Sequence, residues 1–136
     1  MTAGPRADDK VVTAGVAHER ANAWRAGGER VVVGVGVFDL LQASHARAVA
    51  RARALGERLV VLLLDDRAAA ERLGPGRPLV PASDRARVCA ALRAVDLVAV
   101  VSPAEAPAWL AEFPSADVEY RSADDLVTRL RAGRTP

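Results

Sequence analysis

The chain has 136 residues, of which 51% are hydrophobic and 26% charged, a balance that excludes disorder throughout and fits one domain with a real core. Lys10 is the only lysine among 19 basic residues, yet acids are interleaved so evenly that the net charge is only +2. No basic block with interleaved aromatics appears, so a dedicated nucleic-acid surface is not expected. The single cysteine, Cys89, has no intrachain disulfide partner, which fits a reducing cytoplasm. No apolar run is long enough to span a bilayer and the amino terminus carries no signal-peptide core, so the expectation is a soluble, cytoplasmic protein without a membrane partner.

In chain order, residues 1–10 are polar, contain Gly4 and Pro5, and read as a flexible arm. A single domain over 11–132 and a tail over 133–136 follow. Val16 to Ala26 reads as a helix stopped by Gly27-Gly28. Arg30 to Gly34 is the first strand, Ala43 to Leu55 a helix closed by Gly56, and Arg58 to Leu64 a second strand. Both strands are apolar runs without alternation, the pattern of strands buried on both faces. Asp65 and Asp66 follow the second strand's carboxyl end, where ligands collect in open α/β sheets.

A short helical piece leads into Gly74-Pro75-Gly76-Arg77-Pro78, a loop that neither helix nor strand tolerates. Ser83 reads as the N-cap of a helix to about Ala94, and Leu97 to Val101 is a third apolar strand. After Ser102-Pro103 a helix is expected through Trp109 to Phe113, then an extended piece at Val118-Glu119-Tyr120. Ser122 and Asp125 resemble a capping box opening a last helix, Ala123 to Arg131. Strands alternating with helices predict an α/β fold, a three-layer Rossmann-like parallel sheet with helices on both faces.

The stretch Val31 to His45 organises the chain. An apolar run breaks at Gly34 and Gly36 and leads through Asp39, Gln42 and Ser44 into a helix at His45. Helix N-termini attract anions because their unpaired N–H groups and the helix dipole point the same way, so a phosphate site is expected there. Bland readings stand beside that one. His45 is either a helix-start histidine or a phosphate ligand, and Asp39 either satisfies turn amides or orients a metal or substrate. Arg77 and Arg85 are either solvated surface charges or phosphate-facing groups. Cys89 reads as a packed thiol, His18 as a surface residue, and Trp24 and Trp109 as packing residues, since one per helix makes no stacking platform.

Gly36-Val37-Phe38-Asp39-Leu40-Leu41-Gln42-Ala43-Ser44-His45 resembles the Gly-x-Phe-Asp-x-Leu-His-x-Gly-His motif of cytidylyltransferase-like nucleotidyltransferases. The segment from Arg53 to Val61 fits the same family's second helix and strand. The Gly74 to Pro78 loop, Asp84-Arg85 and Ala91 to Asp96 are similar to the adenylyltransferase domain of bifunctional heptose-phosphate kinase/adenylyltransferases. The resemblance is good over about Arg30 to Val101. Arg121 to Val127 also resembles the Arg-Ser-Thr-Thr-x-Leu-Ile opening of the family's last helix.

That resemblance implies transfer of a nucleotidyl group from a nucleoside triphosphate to a sugar or polyol phosphate, with pyrophosphate release and help from Mg²⁺. It implies His45 and Gln42 in the catalytic positions, and Gly36, Phe38, Asp39, Ser44, Arg77, Arg85 and Ser122 around nucleotide and phosphate. No residue is assigned as a metal ligand. A homodimer, or a heteromer with a biosynthetic partner, is also expected from the family.

Four departures and a deletion weigh against full activity. Gln42 stands where the family has a histidine and never carries charge. The family's second glycine is Ser44, and its phosphate-binding lysine is Leu73, beside Arg72. Ala123-Asp124 replace two hydroxyl residues, and a Lys-Gly-Gly-Asp loop between Asp117 and Arg121 is missing. The expectation is a divergent nucleotidyltransferase-like protein with impaired or repurposed activity. The alternative is a non-catalytic nucleotide- or phosphosugar-binding protein or partner subunit.

Overall fold

The computed structural model describes residues 5–106, 108, 117–121 and 127–133. Three parallel strands form its centre: β1 (Val31–Gly36), β2 (Arg58–Leu64) and β3 (Leu97–Val101). They pair in the register Val33↔Val60 and Val61↔Val98. Nearly every residue of these strands is buried, which is why their sequences run apolar without alternation.

The connecting helices are α2 (Ala14–Ala26), α3 (Ala43–Arg53), α4 (Asp66–Leu73) and α5 (Ala82–Ala90). The steps β1–α3–β2 and β2–α4–α5–β3 run the same way across the sheet, so right-handed crossovers put α3 and α5 on one face. Val11 bridges to Val98 beside β3, and the chain then returns through α2 to β1, which places α2 on the opposite face. The predicted parallel α/β layering therefore holds.

Local chemistry sets most boundaries. The Thr13 hydroxyl accepts the Val16 N–H at 3.2 Å and starts α2. Its end falls at Gly27, and Gly28 adopts φ +90°, which a side chain would resist. Asp65 caps α4 by accepting the Ala68 N–H at 2.9 Å.

Three expectations are corrected. First, the predicted arm is docked from residue 7 onward. Helix α1 (Ala7–Lys10) packs on α5, Asp8 pairs with Arg87 at 3.2 Å, and Lys10 Nζ donates to the Leu92 carbonyl at 3.3 Å. Second, Ser83 is not an N-cap. Pro81 occupies that position, and the Ala82 N–H is accepted by Asp66 from another element, which does the work of a local cap.

Third, the last helix expected over Ala123 to Arg131 is a strand from residue 127. In the sheet order β3-β2-β1-β5-β4, β5 (Val127–Gly133) pairs antiparallel with β1, and β4 (Asp117–Arg121), where an extended piece was expected, pairs antiparallel with β5. The free edge of a buried strand has amides and carbonyls to satisfy, and this pairing satisfies them. Residues 122–126, and most of the helix expected through Trp109, lie outside the described residues. No described helix is long and apolar enough to cross a membrane.

Candidate functional site

The site grows from the carboxyl end of β1. After Gly36 and buried Val37, Phe38 takes φ +53°, a left-handed conformation that costs a non-glycine residue about 1–2 kcal/mol. The twist folds the Phe38 ring back over Gly36, where an added Cβ would sit 2.6 Å from the ring. The space a side chain at Gly36 would take is thus filled by the Phe38 ring. That ring meets His45 edge-on, with centroids 6.4 Å apart and planes at 81°.

His45 stands at the third position of α3 and is 2% exposed. Its Nδ1 accepts the Gln42 N–H at 2.8 Å. An accepting Nδ1 puts the proton of the neutral ring on Nε2. Gln42 is the N-cap, exposed beside Ala43, while Ser44 is half-buried in the first turn. These residues come together as the motif predicts, at the mouth of a helix that follows the first strand.

Asp39 is 4% exposed and binds a segment almost 40 residues away. Its Oδ2 accepts Arg77 Nε at 2.6 Å, and its carboxylate also takes the N–H groups of Leu79 and Val80, each at 3.0 Å. Burial alone would raise the Asp39 pKa, but the Leu79 amide, the Arg77 guanidinium and the Val80 amide together hold it below the usual carboxylate value. The amides that Asp39 satisfies are thus those of Leu79 and Val80 on a distant segment, not those of its own turn as one sequence reading had it. Arg77 keeps about a third of its side chain exposed beyond the contact.

Arg85 is placed differently from expectation. Its side chain is fully buried and makes four hydrogen bonds: Nε to the Val80 carbonyl, Nη1 to those of Val37 and Leu64, and Nη2 to Asp66 Oδ1. The guanidinium faces strand-end carbonyls rather than the mouth. Sequence reasoning noted Asp66 only as an acid after β2 and gave it no part. Its position at a strand's carboxyl end was the available signal.

Leu73 ends α4, half-buried, and Ser122 and Asp124 lie outside the described residues. A cavity of about 170 Å³ lies beside the mouth, lined by Phe38, Asp39, Leu40, Leu41, Val80, Arg85 and Val88. A larger groove, about 490 Å³, runs between α3 and the segment after α5, and no predicted site residue borders it. Cys89 is buried in α5, where desolvation pushes its thiol up to about 12, so it is a packing residue rather than a nucleophile. Among the described residues no three His, Cys, Asp or Glu side chains converge as a metal site.

Comparison with known proteins agrees with this geometry. The cytidylyltransferase-like family model matches residues 33–128. The bifunctional protein HldE of Magnetococcus marinus is 43% identical over 116 residues, covering 85% of this chain and 24% of that protein. HldE of Koribacter versatilis is 41% identical over 124 residues, 91% of this chain and 25% of that protein. HldE of Halorhodospira halophila is 48% identical over 100 residues, 74% and 21% respectively. The chain spans about a quarter of the length of these relatives. From the motif, the parallel sheet that presents it and these matches, the chain belongs to the cytidylyltransferase-like family.

Proposed function

We propose that this is a divergent nucleotidyltransferase-like protein whose phosphate site is kept and whose transfer activity is impaired or repurposed. The ancestral reaction joins an acceptor phosphate oxygen to the α-phosphorus of a nucleoside triphosphate. The bond to the β-phosphate oxygen breaks and pyrophosphate leaves. Such a reaction needs positioning and charge neutralisation more than covalent help.

The observation that carries the reading is the α3 mouth, where Gln42 is exposed at the N-cap and His45 is held beneath it by the Gln42 N–H. His45 and the first-turn amides are assigned to the phosphates, with Arg77 reaching them from the facing loop. Gln42 offers a neutral amide where a charged donor would bind about twice as strongly, which lowers transition-state stabilisation. Asp39 does not fit as a Mg²⁺ ligand, because both its oxygens already accept hydrogen bonds. Any Mg²⁺ is therefore assigned to the triphosphate as part of the substrate, and none of the described residues to the ion.

The test is a calorimetric and turnover panel of CTP, ATP and GTP with Mg²⁺ and a series of sugar and polyol phosphates. Nucleotide binding with weak or no pyrophosphate release is expected. Losing one preorganised donor costs ~10²–10³ in turnover. Robust release that His45→Ala abolishes would overturn the impairment. A second reading, a partner subunit in a homodimer or heteromer, draws on the apolar rim of the small cavity, where Leu40 and Val88 are 45% and 48% exposed. No nucleotide binding together with stable self-association would favour it.

A further inference from the structure

The segment Arg77–Ala82 is fastened to Asp39, which precedes the α3 N-cap Gln42 in the chain, and it is held in an unusual way. Pro78 and Pro81 have no N–H, so Leu79, Val80 and Ala82 carry the only backbone donors between 78 and 82. All three donate to carboxylates of other elements: Leu79 and Val80 to Asp39 after β1, and Ala82 to Asp66 after β2. Arg85 then ties the two anchor points together. It takes the Val80 carbonyl from the segment, the Val37 carbonyl beyond β1, the Leu64 carbonyl at the end of β2, and Asp66 itself. One buried guanidinium thus joins both strand ends to the loop that carries Arg77.

We propose that Asp66 and Arg85 are positioning residues: the pair clamps the Arg77–Ala82 segment and so sets where the Arg77 guanidinium stands against the α3 mouth. This rests on the reading of that mouth as a phosphate site. Arg85 is placed to brace rather than to bind, since its side chain is wholly buried and its four hydrogen bonds go to three carbonyls and the Asp66 carboxylate. Asp66, half exposed, matters as the counter-charge that keeps Arg85 turned toward Val80. Arg77 is held by Nε alone to Asp39 and projects its outer end to solvent, so small shifts of the segment move it.

The experiment is a double-mutant cycle on the full chain with inorganic tripolyphosphate as the probe, read by calorimetry beside amide hydrogen exchange. Asp66→Asn keeps an oxygen for Ala82 while removing the charge on which Arg85 closes. It should weaken tripolyphosphate binding about tenfold, the size of one lost charge-assisted hydrogen bond. Arg77→Ala should weaken it as much, and the double variant no further. In Asp66→Asn the Leu79 and Val80 amides should exchange faster while those of Val33 and Leu62 keep their protection.

Additive losses, or strand amides that loosen in step with the loop, would overturn the inference, because both belong to general destabilisation. If Asp66→Asn does not fold, Arg85→Lys, which keeps the buried charge, carries the same cycle. If the unsubstituted chain binds no tripolyphosphate, the proposed phosphate site fails on its own account. The exchange result then decides the clamp: faster Leu79 and Val80 exchange supports it, and unchanged exchange overturns it.

Discussion

Two ion pairs flank the carboxyl ends of β1 and β2, and they are built in opposite senses. In Asp39–Arg77 the acid is buried, with 2% of its side chain exposed, while the arginine is 32% exposed. In Asp66–Arg85 the arginine is buried and the acid is 52% exposed. Which partner is buried decides what each pair can do. A buried carboxylate with an outward arginine leaves part of the guanidinium in solvent, which is what the proposed anion site requires. A buried guanidinium with an outward acid can only brace the backbone. Charge counting treats the two pairs as equal, whereas burial separates an arginine that reaches solvent from one that is enclosed.

The largest expected effect comes from breaking the inward arginine. Arg85→Met strips three strand-end and loop carbonyls of their donor and leaves Asp66 without its partner. A loss of about 3 kcal/mol or more is expected, since three enclosed carbonyls lose their donor at about 1–3 kcal/mol each while the exposed Asp66 is left to water. Urea unfolding measures it, and a change below about 1 kcal/mol would erase the distinction between the pairs.

Asp39→Asn should cost less, about 2 kcal/mol, since the amide oxygen still accepts from Leu79 and Val80 while its charge is gone. It also has a pH signature. The folded-state pKa of Asp39 lies below the ordinary 3.8, so its contribution is full above that value and is lost as pH falls through the lower folded one. Acid titration of unfolding should show that loss in the parent and a flatter acid limb in Asp39→Asn. Parallel curves would mean the carboxylate is not held as its contacts indicate.

Gly36→Ala tests the scaffold beneath both pairs. Its methyl must displace the Phe38 ring from 2.6 Å, and overpacking of this kind costs about 1–3 kcal/mol. Because Phe38 touches His45, the His45 ring resonances should shift as well. Unmoved resonances would separate the strained turn from the α3 mouth.

The smallest effect on stability sharpens the outward side. Gln42→His with Ser44→Gly restores a protonatable donor and bare backbone where the family motif has them. Nucleotide affinity should rise up to about tenfold, one strengthened hydrogen bond, with stability changed by about 1 kcal/mol or less. Unchanged affinity, measured by calorimetry with ATP and CTP, would show that the mouth is limited by something other than those two positions.

By itself the sequence determined the parallel centre, the helix at the mouth and the stop of α2 at Gly27, while α5 ends at Ala90, short of the expected Ala94. The reason is that these are local. A strand buried on both faces must be apolar along its buried length, as β1, β3 and β2 after Arg58 are, and Gly27-Gly28 acts on its own few neighbours. Family membership was legible for the same reason, since the motif from Gly36 to His45 is contiguous.

Tertiary structure alone decided the rest. Residues 127–131 had a helical reading, and the unpaired edge of β1 drew them into a strand, with Val33 opposite Arg131. Ser83 had the look of a cap, and a carboxylate 16 residues upstream of Ala82 made it unnecessary. Arg77 and Arg85 stood in equally suggestive motifs. Only the meeting of Asp39 with Arg77 across 38 residues, and of Arg85 with Val37 across 48, set one facing water and the other inside. Burial and long-range hydrogen bonding depend on what the rest of the chain brings to a position, and no local pattern around an arginine encodes that.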